Sequence, residues 1–182
     1  KDCEIGIRLH CGNPYGIAVT DGSIRSGTRK RKAAIQCDDT FKAVLQCYGL
    51  AIEGEYEHLV LQEGDSQLSF LECDFDGKGG ASDVKQAAGG LALLNTSFRE
   101  GGVSVEQCRG AGGTQIVGCG ELEIRSAGES KKNLLYKKEP LPVTHKRSGG
   151  HVPYPYSLEP ESPSLYLVTE YGAAGDGEKD DT

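Results

Sequence analysis

The chain has 182 residues, 37% of them hydrophobic and 7% aromatic, and carries a formal net charge of −7. This negative balance excludes a protein that binds nucleic acid through bulk electrostatic attraction, and no apolar run approaches the roughly 20 residues of a membrane-spanning helix. All seven cysteines lie in the first two thirds of the chain. Because large apolar side chains are few, disulfides would add stability that a thin core lacks. We therefore expect a disulfide-stapled protein secreted into an oxidising, extracellular compartment.

Alternation of apolar and polar residues with period 2 dominates the chain and predicts β-strands. The clearest segments, in chain order, are residues 3–10, 17–19, 56–61, 67–75, 103–105, 121–125 and 165–171. The polar, glycine-containing residues 62–66 are predicted to join two of these strands as a hairpin loop.

Two short helices are also predicted. Asp38, Asp39 and Thr40 precede residues 41–48 and are residue types that favour a helix N-terminus. Residues 83–88 form the second candidate, which a Gly-Gly pair ends. The predicted fold class is mainly β: a disulfide-stapled antiparallel sandwich or small barrel with one or two short helices. An α+β sandwich is the alternative.

The composition changes after residue 126. We predict a disulfide-stapled, β-rich domain over residues 1–126, a basic, proline-rich loop or linker over 127–163, a possible returning strand over 164–171 and an acidic disordered tail over 172–182. Lys146 and Arg147 form a dibasic pair among small polar residues, which predicts an accessible processing site.

Cys108 and Cys119 enclose a glycine-rich segment of ten residues. Strand-like segments flank the pair, so we predict that the two cysteines are bridged across the mouth of a hairpin loop. The segment lacks the G-x-x-x-x-G-K-[ST] pattern of a phosphate-binding loop. No cofactor is expected.

Residues 72–83 place carboxylates at four positions of a calcium-binding loop, with a glycine at the sixth: Glu72, Asp74, Asp76 and Asp83. A strand in place of the preceding helix, and Glu in place of Asp at the first position, favour an acidic turn over a calcium site. Asn95 begins an N-glycosylation sequon, Asn-Thr-Ser, which agrees with export. No catalytic residue is assigned, because the sequence has no H-E-x-x-H, G-x-S-x-G or cysteine-protease motif.

The cysteine usage, the dibasic pairs and the glycine-rich β pattern resemble those of small cysteine-rich proteins secreted by fungi, the effectors and killer toxins. Residues 108–113, Cys-Arg-Gly-Ala-Gly-Gly, followed by Cys119 and Gly120, are similar to the last-cysteine hairpin of the Alt a 1-like fungal β-barrel family. The resemblance implies a secreted β-barrel and carries over no functional residue.

We therefore expect a secreted, non-enzymatic interaction protein, an effector or toxin that contributes to virulence by binding an extracellular protein of a host or competitor. Inhibition of an extracellular hydrolase is one form of this activity. The alternative is a secreted hydrolase or a carbohydrate-binding protein, since acidic side chains that are distant in sequence can converge in a fold.

Overall fold

The protein is described by a computed structural model that covers residues 3–10, 15–27, 29–99, 101–126 and 133–142. Strands account for 65% of the structure, which confirms the prediction of a mainly β fold, and the described residues contain no α-helix. Every strand pairing among the described residues is parallel. The strands form a β-solenoid of about four turns.

Each complete turn places strands on three faces, which we number first, second and third in chain order. The first turn consists of β1 (Ile5–Leu9), β2 (Ile17–Thr20) and β3 (Ser23–Arg25), and the second of β4 (Arg31–Cys37), β5 (Val44–Tyr48) and β6 (Ala51–Glu53). The third consists of β7 (Glu55–Gln62), β8 (Gln67–Leu71) and β9 (Asp74–Phe75). β10 (Lys78–Gly79) leads into the fourth, formed by β11 (Val84–Leu94) and β12 (Ser97–Phe98).

The first two faces continue beyond the third. β13 (Gly102–Val117), β14 (Glu121–Ser126) and β15 (Leu134–Lys137) add strands to the first and second faces, while β12 is the last described strand of the third face. β11 and β13 each turn a corner, so that one half lies on the first face and the other on the second.

The core consists of apolar columns that run along the solenoid axis, because in-register parallel pairing places equivalent residues above one another. On the second face Leu45, Leu68 and Leu91 form one such column. On the third face Phe75 pairs in register with Phe98, and their rings meet edge to face with centroids 5.4 Å apart. All five side chains are at least 93% buried.

A left-handed residue follows each of the five strand segments of the second face that end β2, β5, β8, β11 and β13. The equivalent positions have φ between 49° and 69°: Asp21, Gly49, Glu72, Asn95 and Gly118. The chain bends sharply at this conformation, which only glycine adopts without steric cost. The repeated backbone geometry fixes the angle between the two faces along the solenoid.

The predicted antiparallel sandwich or barrel is wrong, and so is the barrel implied by the resemblance. Alternating strands identify a sheet with a buried face but do not reveal the direction of the neighbouring strand. Residues 62–66, predicted as a hairpin loop, instead form the corner between β7 and β8, which lie on different faces and do not pair with each other.

Both predicted helices are also wrong. Residues 44–48 form β5, and residues 84–88 begin β11. In β5 buried Leu45 and Cys47 alternate with exposed Val44 and Gln46, which is the strand pattern. Asp38 does cap a turn, since the amide of Phe41 donates to its carbonyl oxygen at 3.1 Å, but no helix follows.

The predicted disulfides are not formed among the described residues, where no two of the six cysteines lie near disulfide distance: Cys3, Cys37, Cys47, Cys73, Cys108 and Cys119. Cys119 is buried and its thiol donates to the Leu93 carbonyl at 3.4 Å, whereas Cys108 lies half-buried on β13. The predicted bridge between Cys108 and Cys119 is therefore wrong. The glycine-rich residues between them are strand and corner, and they carry the chain onto the next face.

The remaining cysteine, Cys11, lies outside the described residues. Burial raises the pKa of Cys37 to about 12 and that of Cys47 to about 12, so these thiols remain protonated at neutral pH. The expectation of an oxidising compartment loses the support that it drew from disulfides.

The predicted domain limits stay a prediction, because residues 127–132 and 143–182 lie outside the described residues. β14 ends at Ser126, the last residue of the predicted β-rich domain, but β15 adds a strand from within the predicted linker. The returning strand and the acidic tail lie outside the described residues, and so do Lys146 and Arg147.

Candidate functional site: a groove on the second face

The outer side of the second face carries a groove of about 460 Å³. It crosses four strands, because Gln46, Ser69, Ala92 and Gln115 are register partners on β5, β8, β11 and β13. Side chains in one column of a parallel sheet are separated by about 4.8 Å. The groove therefore runs along the solenoid axis, at right angles to the strands.

The floor and the sides of the groove differ in chemistry. Ser69, Ala92 and Gly113 form a floor with little side-chain bulk, while Gln46 and Gln115 stand at the two ends of the column. A third amide, Gln67, lies across Gly90, where a Cβ would overlap its Oε1 atom. The described lining residues include one charged side chain, Asp65, so the groove is polar but almost uncharged.

Glycines allow β11 to turn the corner at the edge of the groove. Gly89 has φ +69°, and a Cβ there would overlap the carbonyl oxygen of Ser66. The pairing of β11 with β13 shifts register between Gln86 and Ala88 and again between Gly89 and Leu91. These two bulges bend both strands without a loop, which keeps the first and second faces continuous.

A buried polar layer supports the corner from inside. Gln62, Gln86 and Gln107 lie one above the other and are at most 2% exposed. The Gln86 Nε2 donates to the Gly89 carbonyl at 2.8 Å, and its Oε1 accepts from the Thr114 hydroxyl at 2.7 Å and the Gln107 Nε2 at 3.2 Å. Hydrogen-bonded buried amides of this kind tie the corner glycines to the core.

A second cavity, of about 320 Å³, lies where the third face ends. Several of its charged side chains are paired: Arg125 with Glu123 at 2.9 Å, and Glu121 with Lys138, which lies outside the lining. Asp83 accepts from the amide and hydroxyl of Ser104 at 2.8 and 2.9 Å. Because these groups already bind one another, the cavity offers a ligand fewer available hydrogen-bonding groups than the groove does.

A third cluster surrounds Asp38 at the first corner of the solenoid. The carboxylate, 5% exposed, accepts from His10 Nδ1 at 2.7 Å, from Arg8 Nη2 at 3.2 Å and from the Thr40 hydroxyl at 2.6 Å. The Thr40 hydroxyl, followed by His10, the Thr40 amide and Arg8, holds the pKa of Asp38 well below its ordinary range against the opposing effect of burial. The cluster ties the first turn to the second, and neither of the two cavities is lined by its residues.

The structure does not bring the four calcium candidates together. Each carboxylate has its own partner: Glu72 accepts from Tyr48, Asp74 from Ser97 and Asp83 from Ser104, while Asp76 lies 3.9 Å from Arg99. The segment is a corner followed by β9, so successive side chains diverge. The described part of the chain holds no group of three or more His, Cys, Asp or Glu side chains arranged for a metal ion.

Glycosylation of Asn95 stays a prediction. Asn95 occupies the left-handed corner, where its Nδ2 donates to the Leu141 carbonyl at 3.0 Å and its Oδ1 accepts from the Leu141 amide at 2.8 Å. The neighbouring Thr96 hydroxyl is buried. The amide that would carry a glycan is thus engaged with the main chain.

Comparisons with protein-family models, with curated proteins and with solved structures find no significant match to this chain. Within the described ranges, no helix has both the length and the apolar character of a membrane span. Function is therefore inferred from the site itself.

Sequence reasoning missed both the groove and the Asp38 cluster. Asp38 and His10 are 28 residues apart, and the groove column recurs every 23 residues at 46, 69, 92 and 115. A search for apolar residues at a fixed spacing near 23 would have found the repeat, since Leu45, Leu68 and Leu91 follow it. Short sequence motifs cannot reveal contacts between residues that are 23 or 28 positions apart.

Proposed function

We propose that the protein is a non-enzymatic binding module that holds an extended ligand in the groove of the second face. The observation that supports this most directly is the in-register column of Gln46, Ser69, Ala92 and Gln115, which makes one continuous surface out of four turns. Solenoids present extended binding surfaces of this kind because each repeat adds an equivalent position.

The ligand is matched to a surface that is polar and almost neutral. Primary amides both donate and accept hydrogen bonds, and Gln46, Gln67 and Gln115 are exposed along the groove. The small floor lets a ligand backbone approach the sheet closely. The groove thus favours an uncharged, hydrogen-bonding chain over a charged or purely apolar one.

A binding function was also expected from the sequence, but the binding site proposed now is a sheet face and not a set of stapled loops. An extracellular protein was the expected partner. An extended segment of such a protein is one ligand that a test must include, and a neutral oligosaccharide, from the alternative expectation, is the other.

The test is an NMR titration of isotopically labelled protein with uncharged extended peptides and neutral oligosaccharides. We expect a bound member of the panel to shift the amide signals of Ser69, Ala92 and Gln115. The variant Ala92→Arg fills the floor and should abolish these shifts. The matched variant Ala51→Arg places the same side chain on β6 of the third face and should leave them unchanged.

Two results would contradict the proposal. One is a ligand whose signals map to another face. The other is a ligand that binds Ala92→Arg as well as the unmodified protein, because the groove would then have no part in binding.

A further inference from the structure

We infer that the ligand of this groove is a neutral polysaccharide in an extended, ribbon-like conformation, lying along the solenoid axis with one sugar unit over each turn. The inference rests on the proposed function and adds the chemical class of the ligand. Three features carry it: the repeat distance of the groove, its polar chemistry and its position on a sheet face.

The repeat distance separates the two classes of extended chain. A pyranose unit in an extended β-linked chain advances by about 5 Å, close to the about 4.8 Å between neighbouring strands. Over the four strands from β5 to β13, successive sugar units therefore stay near successive members of the column. An extended peptide advances by about 3.4 Å per residue and places same-face side chains about 6.8 Å apart, so neither its single-residue nor its two-residue repeat matches the strand spacing.

The polar side chains of the groove are of a kind that can hydrogen-bond to sugar hydroxyls. Gln46 and Gln115 stand at the ends of the column with Ser69 and Ala92 between them, and Gln67 lies beside it on β8. An amide can donate to one hydroxyl of a sugar ring and accept from the next, since it carries both functions on one planar group. Asp65 is the single charged group among the described lining residues. The groove therefore suits a neutral glycan, whereas the Asp65 carboxylate would repel the acidic groups of a charged one.

The position of the groove opposes the common mode of peptide capture. Extended peptides bind sheets by adding a strand to a free edge, where unpaired backbone groups supply the hydrogen bonds. Here the ligand would lie over β8 and β11, which are paired on both sides. The hydrogen bonds would therefore come from side chains such as Gln46 and Gln115, which suits a glycan because its hydroxyls do not need a strand edge.

The described lining of the groove has no aromatic ring on which a sugar could stack. Affinity must then come from hydrogen bonds and close contact repeated along the chain, so it should depend on ligand length. We expect affinity to rise from the disaccharide to the tetrasaccharide, because each added unit reaches one more member of the four-strand column. Further units should change it less than about two-fold, since they would lie over Ala18 or Leu135, the apolar register partners that continue the column on β2 and β15.

The experiment is a calorimetric or NMR titration with β-1,4-linked neutral oligosaccharides, from the disaccharide to the hexasaccharide. An α-1,4-linked neutral hexasaccharide, which curls, and an acidic β-linked hexasaccharide serve as ligand controls. Gln115→Ala should weaken tetrasaccharide binding about five-fold through the loss of one hydrogen bond. Ala92→Arg should abolish binding, and Ala51→Arg should not change it.

The outcomes separate the inference from the proposed function. Suppose that an uncharged peptide binds, that Ala92→Arg abolishes this binding, and that no β-linked oligosaccharide binds. The inference of a glycan ligand would then be wrong, while the groove would remain a binding site. Equal binding of the α- and β-linked hexasaccharides overturns the one-unit-per-turn geometry. Oligosaccharide binding that Ala92→Arg leaves intact overturns both proposals.

Discussion

At the scale of single residues, Asp38 shows how one carboxylate can join two turns. It accepts hydrogen bonds from Arg8 and His10 of the first turn and from Thr40 of its own. These partners favour the ionised form, so the pKa of Asp38 in the folded protein lies below its ordinary value of 3.8. Because the folded pKa is the lower one, the unfolded chain takes up a proton first as the pH falls.

The stabilisation by Asp38 should therefore be fully present above about pH 5 and be lost as the pH falls through 4 and below. We expect Asp38→Asn to lower the melting temperature at pH 7 and to flatten its decline between pH 5 and pH 2. Thermal unfolding across this range measures both effects. Asp39→Asn, at an exposed neighbouring position, is the control and should melt like the unmodified protein. If the melting temperatures of Asp38→Asn and the unmodified protein fell by the same amount between pH 5 and pH 2, the ionised carboxylate would contribute nothing to stability.

At the scale of elements, the corner between the first and second faces depends on the buried glutamine layer. Replacing Gln86 by Leu would leave the Gly89 carbonyl without its donor and would remove the acceptor of the Thr114 hydroxyl. Unsatisfied buried polar groups cost about 1–3 kcal/mol each. We expect Gln86→Leu to lower the free energy of unfolding by about 3 kcal/mol, measured by urea denaturation.

Gln115→Leu is the matched control, because it makes the same exchange on the outer side of β13. It should change the free energy of unfolding by less than about 0.5 kcal/mol. If both variants lost the same stability, the inner amides would be no more important than the outer ones.

The elements also show what the sequence could predict. Strand content and several strand positions were predictable, because alternation with period 2 survives in segments such as residues 67–71 and 121–125. The relative direction of neighbouring strands was not predictable, because parallel pairing occurs between residues about 20 to 28 positions apart. The repeat is also irregular: Leu45, Leu68 and Leu91 are followed by Thr114, so the column changes residue type where it meets the glutamine layer.

At the scale of the whole molecule, a solenoid is stabilised by contacts between neighbouring turns. Among the described residues, the inner side chains of the end turns pack against one neighbouring turn, and they are half-buried: Leu9, Ile17, Val19 and Ile24 in the first turn, Leu122, Ile124 and Leu134 in the last described strands. The groove column from β5 to β13 lies between these ends, where each turn is packed on both sides. The proposed ligand would therefore contact strands that pair with a neighbour on both sides.

The same architecture predicts how the molecule responds to reductant. A native disulfide would contribute about 2–5 kcal/mol, but the six described cysteines form no disulfide with one another, so reductant should leave the melting temperature unchanged. In native protein at pH 8, iodoacetamide should label exposed Cys3 and spare Cys37 and Cys47, whose pKa of about 12 keeps them protonated. Denaturant should expose every thiol.

Cys11→Ser provides the control, since that cysteine lies outside the described residues. An effect of reductant that disappears in this variant would involve Cys11. An effect that persists would require a bridge among the other six, whose thiols stay apart in the described turns. Stability without crosslinks would mean that the stacked turns and their apolar columns, which bury Leu45, Phe70 and Phe75 almost completely, hold the fold together without disulfides.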